Sequence, residues 1–184
     1  MSKSRQKVVG LEQPRLDVDT AKGVSGGAFR FALRPGIGAW HQHARVQVLF
    51  AVKGRCTIEH EAGRWALPAA RAALVPSEVP HRLVVKASGG VLLTGYLEAK
   101  AFVQLAVPRV FFAPELLRPL LAYAADVPGP AGDRAMRVIG DVLGQGPLWD
   151  LAVRLPRSDD PVLRRAFLAI DRDVAEARLF AVSK

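Results

Sequence analysis

The fold of this chain is decided by two stretches of sequence, WHQHARVQVLFAVKG at residues 40–54 and PSEVPHRL at residues 76–83. In the first stretch, His41 and His43 are two residues apart, so on a β-strand both side chains would point to the same face. Gln47 has the same parity, and so does Leu49 in the apolar run that follows. The pattern therefore predicts a strand face that carries two imidazoles and an amide.

The second stretch is a turn that leads into another strand. Pro76 and Pro80 mark the turn, His81 is the first residue of the next alternating segment, and Leu83 shares its face. If these strands close into a barrel, the three histidines and Gln47 meet in an otherwise apolar cavity. Such a cavity is typical of a small-molecule or metal site.

Short apolar runs separated by turn residues extend on both sides of these stretches, from Ala28 to about Glu98. Val, Leu, Phe and Ile fill the runs, and Gly, Pro and Ser separate them, which favours an all-β barrel or sandwich. The predicted strands are Ala28–Leu33, Trp40–His43, Val46–Val52, Cys56–His60, Arg64–Leu67, Ala72–Val75, His81–Lys86 and Val91–Leu97.

The hydrophobic period changes to a helical one after about residue 100. Ala113-Pro114-Glu115 predicts the start of a helix, and leucines at helical spacing follow it. A second helix is predicted from about Gly132 to Gly144, and a third after Pro161. We therefore divide the chain into an N-terminal arm (1–25), a barrel (26–100), a helical segment (101–150) and a linker with a last helix (151–184).

Composition restricts the class of protein. Half of the 184 residues are hydrophobic, which is enough for a sizeable core. No apolar run approaches the roughly 20 residues that span a bilayer, and no signal-peptide pattern follows the basic N-terminus, so we expect a cytoplasmic protein with no membrane partner. The only cysteine, Cys56, cannot form an intrachain disulfide. The net charge of +9 would attract nucleic acid, but a generally Arg-rich composition explains it more simply.

These residues resemble the paired motifs of the cupins. In cupins the first motif has two histidines, a carboxylate four positions on and then a glycine, and the second motif ends in a histidine. The matching residues here are His41, His43, Gln47 and Gly54 for the first motif and His81 for the second. Gln47 departs from the Glu of metal-binding cupins, and Glu78 stands where Gly is more common. The resemblance implies a mainly β protein, a cupin-type double-stranded β-helix barrel followed by two to three α-helices.

A longer resemblance is to the N-terminal sensor domain of AraC-type transcriptional regulators. There, as in residues 63–68 and 73–83 here, a turn-Gly-x-Trp segment precedes a Pro-x-x-x-Pro-His turn, and Gln is common at the position of Gln47. The resemblance implies a small-molecule effector bound in the barrel and a homodimer formed by the helices of 101–150. The stripe Leu116, Leu117 and Leu120 could pack on the barrel or form dimer surface, and the resemblance favours dimer surface. The implied effector pocket is His41, His43, Gln47, Leu49, His81 and Leu83.

Residues 160–166 resemble the entry to the first helix of the DNA-binding domain of these regulators. The two complete helix-turn-helix units of that domain are not present in this chain. We therefore expect DNA contact only through a domain that this sequence does not contain, because one helix presents no recognition helix to a major groove.

The chemistry of the three histidines has two interpretations. They could hold a divalent transition metal such as Zn, Ni, Cu or Fe, with Gln47 as a weak fourth ligand. They could instead provide hydrogen bonds to an organic effector. We expect His60 to be a solvated turn residue. Trp40, Trp65 and Tyr96 could stack on an effector, but core positions are favoured for aromatic residues on strands.

Three functions compete. The leading hypothesis is the effector-sensing and dimerisation domain of an AraC-type regulator. The alternative is a small metal-dependent cupin enzyme, a dioxygenase or isomerase, which is disfavoured because position 47 lacks a carboxylate and no general acid or base accompanies the histidines. A nucleic-acid-binding protein in its own right ranks third.

Overall fold

The computed structural model describes residues 27–86, 90–145, 154–155, 160–162 and 165. The chain divides into two compact units, Met1–Arg154 and Leu155–Lys184. In the second unit the N–H of Val162 donates to Asp160 Oδ1 at 2.7 Å. The predicted N-terminal arm and most of the predicted third helix lie outside the described residues.

The first unit is mainly β, as predicted, and two α-helices follow its sheets. Its elements are β1 Ala28–Leu33, β2 Gly36–Ile37, β3 Val46–Lys53, β4 Cys56–His60, β5 Gly63–Leu67, β6 Arg71–Val75, β7 His81–Val85, β8 Gly90–Leu97, the 3-10 helix Ala99–Phe102, β9 Arg109–Phe112, α1 Leu117–Asp126 and α2 Pro130–Gln145. The two-residue strand β10, Arg154–Leu155, includes the last residue of the first unit and the first residue of the second. One antiparallel sheet has the order β1-β8-β3-β6-β9, and the other contains β5-β4-β7-β2.

The interior lies between the two sheets and is built by alternation along the strands. Every second residue of a strand points inward, so apolar side chains of both sheets meet there. The buried members of this cluster are Leu33, Leu49, Ala51, Cys56, Ile58, Trp65, Leu67, Ala73, Val75, Leu83, Val85, Leu92 and Val110. Burial raises the pKa of the Cys56 thiol to about 12, which keeps it in the unreactive thiol form.

The opposite face of the first sheet is covered by α1 and α2. Leu117 and Leu121 of α1 and Met136 of α2 belong to a second core cluster with residues of β3 and β8. A Cβ at Gly95 would lie 2.6 Å from Cε of Met136, so glycine permits the helix to approach the sheet. The prediction that Leu117 forms dimer surface is wrong, because its side chain is buried in this cluster, whereas Leu116 is exposed.

The structure differs from the predicted elements in several places, and neither β2 nor the 3-10 helix was predicted. Trp40–His43 is not a regular strand, since only His41 forms a β-bridge, to His81, and the chain bends before β3. The four-residue strand β9 was not predicted, because it is too short for a period to be recognised. Helix α1 begins at Leu117 and α2 at Pro130. None of the helices in the described ranges is long and apolar enough to span a membrane.

Candidate functional site

Three imidazole rings meet where β7 begins, at His81. The ring centroids of His41 and His81 are 4.3 Å apart, and those of His43 and His81 are 4.9 Å apart. One ring nitrogen from each histidine lies within 4.8 Å of the others. Backbone hydrogen bonds in both directions between His41 and His81, at 2.9 and 3.0 Å, hold the irregular segment against the strand. The structure thus brings together the three histidines that the sequence singled out.

The backbone fixes the tautomer of each ring. The Nδ1 atoms of His41, His43 and His81 lie 3.0, 2.5 and 2.8 Å from the carbonyl oxygens of residues 39, 45 and 79. A carbonyl oxygen only accepts, so each Nδ1 must carry the hydrogen and donate it. In the neutral ring the lone pair is therefore on Nε2. Such a bond from the second ring nitrogen is the usual way in which a ligating histidine is oriented.

Gln47 presents its carbonyl oxygen to these rings. Its Nε2 donates to Thr94 Oγ1 at 3.0 Å and to the Tyr96 hydroxyl at 3.3 Å, which occupies both amide hydrogens. Its Oε1 consequently lies 3.2 Å from Nε2 of His81 and 3.4 Å from Nε2 of His43. Both Gln47 and His81 have an exposed fraction of 0%.

The acceptor atoms of the site face one another with no hydrogen between them. Burial lowers the pKa of His81 to about 3 and also lowers the pKa of His43, so both rings are neutral at pH 7. Their Nε2 lone pairs then face the oxygen of Gln47, which is also an acceptor. Nε2 of His41 is buried and has no hydrogen-bond partner in the structure. A bound cation would turn these unfavourable contacts between acceptors into favourable ones and would give Nε2 of His41 a partner.

The donor set fits a transition metal. Three neutral imidazoles and an amide oxygen are accepted by Zn, Ni or Fe, and each ring is already oriented by its Nδ1–H bond. Within the described ranges, these histidines form the only cluster of three or more His, Cys, Asp or Glu residues with metal-ligand spacing. The three histidines can therefore hold a metal ion, and no carboxylate belongs to the cluster.

The remaining sequence-predicted residues fall in different places. Leu49 and Leu83 are buried in the interior cluster, on the faces that also carry Gln47 and His81. The prediction that His60 is a solvated turn residue is wrong, because it is 5% exposed within β4 and its Nδ1 accepts from the N–H of Ala62. Trp40 is not a core residue: it is 49% exposed and stacks under the guanidinium of Arg82.

Thr94 was not identified from the sequence as a site residue, and Tyr96 was placed in the core in preference to the site. They lie on β8 opposite Leu49 and Gln47, so their inward direction follows from the alternation of β8. For Tyr96 the sequence favours a core position over stacking on an effector; the side chain is buried, and its ring lies 5.1 Å from that of His43. Burial raises the pKa of Tyr96, which keeps its hydroxyl protonated.

Glu78 connects the turn before His81 to the irregular histidine segment. Its N–H donates to the carbonyl oxygen of His43 at 2.8 Å, and its φ is 58°. A left-handed backbone favours glycine, which is what the cupin resemblance expects at this position. The side chain of Glu78 does not pair with Arg82, whose partner is Glu59 at 2.7 Å.

Comparison with known proteins shows the cupin fold. The chain is similar to apo ToxT K231A from Vibrio cholerae, with a TM-score of 0.50 and 8% identity over 65% of this chain and 55% of ToxT. ToxT is an AraC-family regulator, and its N-terminal cupin domain matches this structure. The chain thus spans about half the length of ToxT.

Two further solved structures are similar to this chain with lower TM-scores. A cupin-2 domain protein from Shewanella frigidimarina has a TM-score of 0.36 and 20% identity over 40% of this chain and 72% of that protein. Wild-type ToxT from Vibrio cholerae with a bound unsaturated fatty acid has a TM-score of 0.46 and 9% identity over 67% of this chain and 53% of that protein. No protein-family model matches the chain, and no curated protein matches its sequence.

Proposed function

We propose that this chain is the effector-sensing and dimerisation domain of an AraC-type transcriptional regulator, and that its effector binds at the site of His41, His43, Gln47 and His81. The observation that carries the proposal is the extent of the likeness to ToxT. Strands β1 to β8 occupy well under half of the chain, so a match over 65% has to include residues outside the barrel. A cytoplasmic location goes with this function.

The chemistry of the site supports binding more than proton transfer. A general base works best with a pKa near the working pH, whereas burial lowers the pKa of His81 to about 3. Tyr96 is a poor acid for the opposite reason, since burial raises its pKa. Lone pairs held in fixed directions among apolar walls suit a ligand that is recognised and released.

The proposed dimer surface is the exposed side of α1 and its flanks. Leu116 and Tyr123 are 51% and 48% exposed, and Leu120 and Val127 continue the row at spacings of four, three and four residues. This spacing is that of an apolar seam between paired helices. We expect Tyr123→Glu to convert a dimer to a monomer in sedimentation equilibrium, while Lys53→Glu, a charge change on an exposed strand residue, leaves it unchanged. A wild-type monomer would contradict this surface.

The sensing function is tested by thermal shift against a panel of small organic acids that includes unsaturated fatty acids. We expect at least one compound to raise the melting temperature of the wild type, to have no effect on His81→Ala, and to act normally on Gln42→Ala, an exposed neighbour of the site. Mass spectrometry of the recovered compound should find it unchanged. Conversion of the compound to a product would overturn the proposal.

A metal-dependent cupin enzyme is the second candidate, because the converging lone pairs favour an ion. The discriminating measurement is the metal content of protein purified without added metal, followed by oxygen uptake with candidate substrates. Stoichiometric metal that disappears in His41→Ala, together with turnover, would favour the enzyme. Metal without turnover agrees with a sensor that uses the ion to hold its effector.

A further inference from the structure

The strand register fixes the two ends of the barrel. One end contains the histidine site, since Gln47 near the start of β3 and His81 at the start of β7 meet there. At the opposite end, Lys53 of β3 pairs with Val91 of β8, and β4 begins three residues after Lys53. The chain therefore passes from β1 to β2, from β3 to β4, from β5 to β6 and from β7 to β8 at this second end.

Basic residues are concentrated in these four connections. Taken with the strand residues that flank them, the connections span positions 33–36, 53–56, 67–71 and 85–90. Each contains at least one Arg or Lys, and none contains Asp or Glu. Among the described residues, Glu115, between β9 and α1, is the one carboxylate in a connection at this end. The basic residues, which we call the basic end, are Arg34, Lys53, Arg55, Arg71 and Lys86.

The histidine end of the barrel has a mixed charge. Glu61 lies between β4 and β5, Glu78 between β6 and β7, and Glu98 directly after β8. Arg45 and Lys100 lie at the same end, and Lys100 pairs with Glu98 at 2.6 Å. An Arg-rich composition would distribute basic residues over both ends, so composition alone does not explain the separation.

Carboxylates compensate the arginines that lie along the strands. Arg30 of β1 pairs with Asp126 at 3.0 Å. Glu59 of β4 pairs with Arg64 at 3.0 Å and with Arg82 at 2.7 Å. These ion pairs cancel much of the positive charge between the two ends of the barrel.

Three members of the basic end have no such compensation. Arg34 and Lys53 are exposed, and neither forms an ion pair with a described residue. Arg71 donates from Nη1 to the carbonyl oxygen of Ala70 at 3.1 Å, and its guanidinium carbon lies 4.4 Å from the ring centroid of Phe112. Both partners of Arg71 are uncharged, so all three positive charges are available to an external anion.

The same three residues form a row across the first sheet. Arg34 follows β1, Lys53 ends β3 and Arg71 begins β6, and the sheet order β1-β8-β3-β6 separates these strands by three steps at most. At about 4.8 Å for each step, the row is about 14 Å long. Duplex DNA carries one negative charge for about every 1.7 Å of its axis, so a row of this length faces several phosphates.

We propose that the basic end binds the phosphate backbone of duplex DNA without sequence preference. Phosphate contact needs only positive charge and reach, which Arg and Lys side chains provide, so it requires no recognition helix. A second copy of this chain fits less well, because its histidine end mixes cations with carboxylates. The inference goes beyond the proposed function and does not depend on the effector, since the histidine site lies at the other end of the barrel.

The test measures binding of a short labelled duplex by fluorescence anisotropy at about 50 to 200 mM salt. We expect the logarithm of the binding constant to fall with the logarithm of salt concentration with a slope of about −3, from about 0.9 for each phosphate contacted. Lys53→Gln and Arg34→Gln should each reduce the magnitude of this slope by about 1. Lys100→Gln, the same change on an exposed lysine at the histidine end, should leave the slope unchanged.

Two duplexes of unrelated sequence should bind equally, and a large preference for one would contradict contact through phosphates alone. Absence of DNA binding at about 50 mM salt would overturn the proposal. A slope that keeps its wild-type value in both Lys53→Gln and Arg34→Gln would also overturn it, because DNA would then bind elsewhere on the chain. A poly-glutamate peptide of equal charge that bound more tightly than the duplex would overturn it in favour of an acidic protein partner. The three variants change exposed side chains, and circular dichroism checks that each remains folded.

Discussion

The histidine site has two halves that are built differently. The strand half consists of Gln47 and His81 with Thr94 and Tyr96, all on regular strands and all buried. The loop half consists of His41 and His43, which lie on an irregular segment and are partly exposed. The strand half contributes Oε1 of Gln47 and Nε2 of His81 to the site, and the loop half contributes one ring nitrogen of each of its two histidines.

The difference teaches which residues the fold needs and which only the site needs. Gln47 donates hydrogen bonds to Thr94 and Tyr96 inside the barrel, and all members of the strand half are buried, so changing it also disturbs the core. Nε2 of His41 has no partner to lose. We therefore expect mutations of the strand half to cost both stability and binding, and mutations of the loop half to cost mainly binding.

The largest expected effect is the acid sensitivity of the strand half. Burial lowers the pKa of His81 from 6.5 to about 3, so the unfolded chain binds a proton that the folded chain excludes. Excluding the proton costs the folded state nothing well above pH 6.5, and the cost grows as the pH falls from 6.5 toward 3. At about 1.4 kcal/mol per pH unit, metal-free protein should lose about 3 kcal/mol of unfolding free energy between pH 6.5 and 4.

Urea denaturation in the presence of a chelator, at half-unit steps of pH, measures this loss. In His81→Ala the slope should be shallower by about one proton. An equal slope in the wild type and in His81→Ala would contradict the assignment of this proton to the strand half.

The comparison of His81→Ala with His41→Ala at pH 7 should give the next largest effect. Loss of the His81 ring leaves a buried cavity and removes its Nδ1–H bond to the carbonyl oxygen of residue 79, so we expect about 2 kcal/mol of destabilisation. His41→Ala should cost less than about 1 kcal/mol, since the ring is partly exposed and its Nε2 is unpartnered. Both variants should lose Co(II) binding. Equal destabilisation would mean that the two halves are not distinct.

Thr94→Val tests the hydrogen bond that orients Gln47. The change keeps the shape of the side chain but leaves one buried amide N–H of Gln47 without its acceptor, which should cost about 1 kcal/mol. We also expect weaker Co(II) binding, because Oε1 is no longer held toward the rings. Thr57→Val, at a buried threonine on β4, is the matched control for the loss of a hydroxyl and should leave Co(II) affinity unchanged.

Much of the strand half was predictable from sequence, because it follows period two. Parity alone placed Gln47 and Leu49 on one inward face and His81 and Leu83 on another, and the structure agrees. Thr94 and Tyr96 follow the same rule on β8. They were not assigned to the site because a threonine and a tyrosine on a strand are common without any function.

The loop half was predictable only as a set of residues. His41 and His43 converge as expected, but the strand assumed for them is replaced by a bridge and a bend. Backbone bonds from the partner strand, not alternation, orient this segment, and such pairing depends on residues about forty positions away. The burial of His60 was missed for a similar reason, since it depends on the pairing of β4 with β5 and β7.

The smallest expected effect concerns the turn that joins the two halves. Glu78 has a φ of 58°, and its N–H holds the carbonyl oxygen of His43 while the chain leads into His81. Glycine adopts this backbone without the steric cost of a Cβ, so Glu78→Gly should stabilise the protein by up to about 1 kcal/mol. The higher conformational entropy that glycine gives the unfolded chain reduces this gain. Only the exposed contact with Gln42 is lost. Urea denaturation at pH 7 measures the change, with Ser77→Gly, one residue earlier, as the control that should destabilise. If Glu78→Gly instead destabilised by more than 1 kcal/mol, the carboxylate would be contributing to the junction of the two halves, and the turn could not be regarded as a passive link between them.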